Sequence, residues 1–178
     1  MMEQLFKQIS PEELCNNFNI FNLVGKDFFA VTAGNHEHYN SMVGSGGGFG
    51  LLFRKPNVWC TIRSDRYTLE LIEKEQKFTL SYFFDEYKQK MLFLGNKSGR
   101  DSKKMEEVEL TTIKTSSGNI SFEEANLIIE CKLIQITTPG LDDFYSKEAK
   151  EWLNDTYKST SDYRKYVFGE ITHVWVKK

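Results

Sequence analysis

With 178 residues, of which 40% are apolar and 27% charged, the chain is long enough to bury a core as one domain spanning residues 1–178, and its composition excludes a disordered polypeptide. A net charge of −2 with no long block of like charge excludes the basic stripe of a nucleic-acid binder, and no apolar run is long enough to span a membrane. Cys15, Cys60 and Cys131 are odd in number, far apart and without a CxxC pair, which reads as reduced thiols in a cytoplasmic protein.

At the start, Met1 to Leu14 carries Glu3, Glu12 and Glu13 and has no apolar h-region, a pattern unlike a signal peptide. Ser10-Pro11-Glu12-Glu13 has the residues of a helix start, with a capping hydroxyl, proline in the first turn and acids beside it. Asn19 to Ala33 places apolar and β-branched residues around Gly25-Lys26-Asp27, which predicts a hairpin. Tyr39 to Gly50 reads as a short strand broken by Gly44, Ser45, Gly46, Gly47 and Gly48. Leu51-Leu52-Phe53 and Val58 to Ile62 read as strands split by Pro56.

A helix is predicted from Ser64 or Asp65 to about Gln76, a strand from Phe78 to Phe84, and a helix from Asp85 to Leu94 ended by Gly95. A short helix over Ser102 to Val108 follows. Strands come next at Thr111 to Lys114, Ile120 to Phe122 and Ala125 to Thr137, the first two joined by a turn at Ser116 to Asn119. A helix over Lys147 to Tyr157 precedes a last strand, Tyr166 to Val176. Many strands joined by short turns, with few helices, predict a mainly β antiparallel barrel with helical insertions.

Three segments have the composition of an anion or ring contact. Asn40-Ser41-Met42-Val43-Gly44-Ser45 with the glycines after it offers close backbone approach and short polar side chains, and reads equally as a surface loop. Arg63-Ser64-Asp65-Arg66-Tyr67-Thr68 sits at a strand-to-helix junction, where unpaired N–H groups and arginines attract phosphate; the other reading is a capped helix whose arginines pair with Asp65, Glu70 or surface acids. Asn96 to Lys104, containing Ser98, Gly99 and Arg100, is again cationic at a helix start and reads equally as a solvated loop. His36 and His38 would share one face of a strand, but such a pair more often marks an exposed loop and no third ligand is evident, so no metal is predicted there. His173 falls in the last strand, as a core or edge histidine.

In order and spacing, these segments, with Lys55-Pro56, Phe78-Thr79-Leu80-Ser81-Tyr82-Phe83, Ser98-Gly99-Arg100-Asp101 and Phe122-Glu123-Glu124-Ala125, resemble the flavin-reductase-like, flavoredoxin-type FMN-binding split-barrel family. The resemblance implies a six-stranded antiparallel split barrel, a homodimer, and FMN near the dimer interface. It implies Asn40, Ser41, Met42, Val43, Gly44 and Ser45 along the ring and ribityl chain, and Arg63, Ser64, Arg66, Tyr67 and Thr68 around the phosphate. Ser81 and Phe83 would line the site, and Ser98, Gly99 and Arg100 would complete it. Many relatives carry Asn-Pro-Met-Thr and a following Trp where this chain has Asn40-Ser41-Met42-Val43, Ser45 and three glycines, which implies a wider site.

The implied activity is NAD(P)H-dependent reduction of FMN, or of a small-molecule or protein acceptor through FMN. Hydride chemistry belongs to the flavin, so no catalytic acid or base is nominated. The alternative is a non-enzymatic FMN-binding electron carrier or redox sensor with the same binding residues. A third reading keeps the barrel and exchanges FMN for pyridoxal phosphate or haem.

Overall fold

The computed structural model describes residues 2–44, 46–100, 103–157 and 164–178. Ser45, Asp101 and Ser102, which belong to predicted site and helix segments, lie outside the described residues. A short helix α1 (Met2–Leu5) and strand β1 (Phe6–Ile9) open the fold, neither of them marked by the local pattern. Helix α2 (Pro11–Asn17) starts as the sequence requires. Ser10 Oγ accepts from Glu13 N at 3.0 Å while Glu13 Oε2 accepts from Ser10 N at 2.8 Å, a reciprocal capping box.

The hairpin predicted over Asn19 to Ala33 is replaced by helix α3 (Ile20–Gly25) and strand β2 (Phe29–Gly34). Asn19 Oδ1 accepts from Phe21 N at 3.0 Å and Asn22 N at 3.2 Å, so a cap overrides the strand propensity of the residues after it. Strands β3 (Tyr39–Gly44), β4 (Gly47–Leu52) and β5 (Lys55–Ile62) follow. Pro56 does not split a strand but lies inside β5. The ladder to the neighbouring strand on one side ends at Asn57, so Pro56 pairs only with Leu51 of β4.

Next come helix α4 (Tyr67–Glu75), strand β6 (Lys77–Tyr82), a 3-10 turn at Asp85–Tyr87 and helix α5 (Lys88–Asn96). Gly95 therefore lies within a helix rather than ending it, and Lys97 is the cap. Helix α6 (Lys104–Glu107), strands β7 (Thr112–Lys114), β8 (Ile120–Phe122) and β9 (Leu127–Thr137), a 3-10 turn at Leu141–Asp143, helix α7 (Lys147–Thr156) and strand β10 (Lys165–Lys177) complete the fold.

The strands form an antiparallel sheet in the order β3-β2-β6-β9-β10-β5-β4, with β1 also paired to β10, and β7 and β8 make a separate hairpin. The main sheet thus has eight strands where six were expected. Its two outermost strands in that order, β3 and β4, are consecutive in the chain with only two residues between them, so the sheet must curl until its ends come close. No ladder between β3 and β4 closes it among the described residues.

Every buried strand residue of the main core comes from six strands: β2, β3, β5, β6, β9 and β10. Alternate residues such as Phe29 and Val31, Phe78 and Leu80, and Ile129 and Cys131 point inward, joined by Leu69, Leu71 and Ile72 of α4. The outer face carries two smaller cores under α1, α5 and the β7–β8 hairpin. Among the described residues no helix is long and apolar enough to cross a membrane.

Candidate functional site

Because strand side chains alternate between faces, β3 cannot aim all of the first predicted segment at one ligand. Asn40 and Met42 stand opposite Ala33 and Val31 of β2, on the side of the main core and α4. Ser41 and Val43 stand opposite Thr32 and Ala30, on the outer side. Ser41 Oγ lies 2.9 Å from Thr32 Oγ1. Ser81 shares that outer face, 2.8 Å from Ser121 Oγ, so its hydroxyl fastens the β7–β8 hairpin to the sheet. Phe83 packs between Tyr87 and Phe122, with ring centroids 6.0 Å away on each side. Ser41, Val43, Ser81 and Phe83 therefore do not converge with Asn40; Gly44 is buried at the far end of β3.

The helix expected to start at Ser64 or Asp65 starts at Tyr67, with Arg66 as its N-cap and no side-chain cap bond. Asp65 is taken by Arg63, whose Nε donates to Oδ1 at 3.0 Å and whose Nη2 donates to Oδ2. The carboxylate that would have capped the helix is thereby withdrawn, leaving the first-turn N–H groups of α4 without a side-chain acceptor. Half-buried Ser64 sits between the two arginines in sequence. Arg66 makes no ion pair among the described residues, in contrast to Arg63 and Arg100.

Three chain segments meet at the start of α4. Asn40 Nδ2 donates to Thr68 Oγ1 at 2.7 Å, both residues buried, while Asn40 Oδ1 is buried with no hydrogen-bond partner among the described residues. The loop after α5 closes on this pair, and a Cβ on Gly99 would lie 2.0 Å from Asn40 Oδ1. Arg100 holds the loop: Nη1 donates to Glu70 Oε2 at 3.0 Å, Nη2 donates to Oε1, and the guanidinium lies over the Tyr67 ring at 5.0 Å. The hydrogen bond from Arg100 holds the Glu70 carboxyl below its ordinary value. Ser98 Oγ accepts from Arg100 N at 3.2 Å, a local turn contact. Tyr67 OH is in turn hydrogen-bonded to His38 Nε2, which gives that histidine a structural partner.

Two members of the cluster were not legible beforehand. Glu70 is 30 residues from the arginine it pairs with. Lys104, in a run read as a solvated basic face, is 2% exposed. Its Nζ donates to Lys97 O at 3.1 Å and Leu94 O at 3.4 Å, capping the end of α5, and burial together with the charge of Arg66 brings its pKa down to about 8. The Arg66 end of α4 thus gathers positive charge: a helix terminus with no side-chain cap, an arginine with no ion pair among the described residues, and Lys104 near enough to feel its charge.

Replacing Gly99 with alanine should force the loop off Asn40, because the buried amide cannot retreat. A loss of about 1–3 kcal/mol in unfolding free energy is expected, as for other overpacked sites. Gly50→Ala, which meets nothing within 4 Å, is the control. Equal urea midpoints for the two variants would show that the loop does not rest on Asn40 in solution.

The flavin reductase like domain matches residues 51–178. The fold is similar to the FMN-binding domain of a flavin reductases-like enzyme from Shewanella baltica OS155, with a TM-score of 0.67 and 14% identity over 97% of this chain and 77% of that one. It is also similar to an FMN-binding protein from Thermus thermophilus with bound p-hydroxybenzaldehyde, with a TM-score of 0.66 and 20% identity over 85% and 72% of the two chains. Flavoredoxin of Desulfovibrio vulgaris (Miyazaki F) gives a TM-score of 0.64 and 20% identity over 85% and 70%. No curated protein sequence matches the chain.

Proposed function

The chain belongs to the flavin reductase-like family, and from that membership we propose that it binds FMN and passes electrons from NAD(P)H through it, as a single cytoplasmic domain acting in a homodimer. The observation that carries this reading is the start of α4, where, among the described residues, Arg66 makes no ion pair, the helix has no side-chain cap and buried Asn40 Oδ1 has no hydrogen-bond partner. A phosphate suits such a terminus, since a helix N-terminus and a guanidinium both favour a doubly charged oxyanion.

In this reading Arg66, with the first-turn N–H groups of Tyr67 and Thr68, holds the phosphate, and Arg63 and Ser64 flank it. Asn40 orients a neighbouring polar group of the ligand while its own position is fixed by Thr68. Gly99 lets the loop approach, and Arg100 keeps the loop in place through Glu70 and Tyr67. Met42 and Gly44, on the same face of β3 as Asn40, continue along the ligand. Ser41, Val43 and Ser81 stabilise the strands from the opposite face, and Phe83 belongs to the outer core. Bound FMN would supply the hydride chemistry; the chain supplies anchoring, orientation and a surface from which water is excluded.

The curled six-strand core suits a split barrel. A second copy of the chain would cover part of the surface where Leu51 of β4, Phe53 just after it and Phe21 of α3 are exposed at 77%, 72% and 85%. The electron acceptor is a small molecule or a partner protein. The test is an absorption spectrum of purified protein after adding FMN and washing, followed by NADH or NADPH. A retained flavin spectrum that bleaches with either dinucleotide is the expected result. Protein that stays colourless would overturn the reading, and a retained flavin that neither dinucleotide bleaches would replace the reductase with an electron carrier.

A further inference from the structure

Helix α7 roofs a cavity of about 590 Å³ that none of the residues discussed above occupies. Ala149, Trp152 and Leu153 are spaced at i, i+3 and i+4, so they share one helix face, and they line it from above. Its floor is the ladder pair Thr61 and Tyr166 of β5 and β10. Gly46 forms an edge with φ of +85°, a left-handed conformation that suits glycine, and a Cβ there would meet only Thr61 Oγ1, at 3.8 Å. No side chain of the β3–β4 connection therefore fills the space from that side among the described residues.

The chemistry of the walls is specific. Trp152 and Tyr166 offer ring faces and edges, and among the described residues one cation reaches the cavity, Arg164. The Arg164 guanidinium is half-buried, and its partners are neutral. Nε donates to Tyr157 OH at 2.6 Å and Nη1 donates to Thr61 Oγ1 at 3.4 Å. It makes no ion pair with a carboxylate among the described residues. A guanidinium partly withdrawn from water, with donors left over and aromatic rings around it, calls for an anion attached to a flat apolar group. The volume lies within the range of about 300–1,000 Å³ usual for small-molecule sites.

We propose that the α7 cavity binds an aromatic carboxylate, its ring against Trp152 and Tyr166 and its carboxylate on Arg164. Thr61 and Gly46 belong to the same connections as Arg63 and Gly44, so the cavity adjoins the segments assigned to the flavin. Its use as the electron-acceptor subsite rests on the flavin reading; the binding itself does not.

The probes are 2-naphthoate and its neutral counterpart 2-naphthamide, titrated by calorimetry into the full chain with and without added FMN. Naphthoate should bind about tenfold more tightly than the amide, the worth of one charge-assisted bond. Arg164→Met should erase that difference, and Ala149→Trp should abolish binding of both by filling the cavity, with circular dichroism showing both variants folded. Equal binding of acid and amide, naphthoate binding insensitive to Arg164→Met, or no binding to the native chain would each overturn the proposal. Naphthoate binding by protein that fails to retain FMN would sink the flavin reading while leaving the cavity assignment intact. Retained FMN without naphthoate binding would do the reverse.

Discussion

Glu130→Ala should cost about 3 kcal/mol or more of unfolding free energy, measured in urea at pH 7, because it strips the acceptor from the buried Thr115 and Trp175 donors, which each cost about 1–3 kcal/mol when left unpaired. Glu130 is fully buried on the outer face of β9. Its Oε1 accepts from Trp175 Nε1 at 2.7 Å; its Oε2 accepts from Thr115 Oγ1 at 2.6 Å, from Ser117 N at 3.2 Å and from the Ser117 hydroxyl. The carboxylate thus ties the turn between β7 and β8 to the sheet. Glu130→Gln keeps the shape but turns an amide NH2 or its single oxygen toward the Ser117 N–H, Thr115 and Trp175 donors, and should lose about half as much.

The same residue gives a pH signature. Burial pushes the Glu130 carboxyl up, but hydrogen bonds from Ser117, Thr115 and Trp175, with His173 near, outweigh it and hold the carboxyl below its ordinary value. A group depressed on folding contributes stability above its unfolded pKa of about 4.3 and loses it as pH falls through the folded value. Wild-type protein should therefore lose stability below about pH 4 more steeply than Glu130→Gln. Parallel curves for the two would mean that the clamp is not ionised in the native state.

Arg66→Ala should weaken FMN binding by about 10- to 100-fold, the worth of one or two charge-assisted bonds to phosphate. Its urea midpoint should barely move, because the side chain makes no cap bond and no ion pair among the described residues. Arg63→Ala should cost only a few-fold, since that guanidinium is exposed and already held by Asp65. Fluorescence titration with riboflavin, which lacks the phosphate, supplies the control. Arg66→Ala should leave riboflavin binding unchanged and bring FMN down toward it. If Arg66→Ala bound FMN like the wild type while Arg63→Ala did not, the phosphate would sit on the other side of the junction.

An arginine next to a carboxylate in sequence says nothing by itself about which of the two faces a ligand. Arg63, Arg66 and Arg100 look alike in the chain; folding spends Arg63 on Asp65 and Arg100 on Glu70 and leaves Arg66 without an ion pair among the described residues. The phosphate assignment rests on that difference. It also explains why the most cationic stretch, Asn96 to Lys104, acts chiefly as a latch: Arg100 is paired and Lys104 is buried against backbone carbonyls.

From β3 onward the order of strands and helices was legible in the chain because caps, glycine turns and the period of two are local signals carried by neighbouring residues. Ser10 with Glu13, the Ser116 to Asn119 turn and the long strand β9 all lie where those signals put them. The recurrence of several motifs in one order marked the family, which the match over residues 51–178 bears out. Where a cap competed with strand propensity, at Asn19, the local pattern pointed the wrong way. Tertiary structure alone decided that Asn40 rather than Ser41 faces α4, that Glu70 latches Arg100, that Lys104 is buried and that α7 roofs a cavity over Thr61 and Tyr166. Each of these depends on which residues distant in sequence meet once the sheet curls, and on which charges neutralise one another there, and neither is written in the spacing of adjacent side chains.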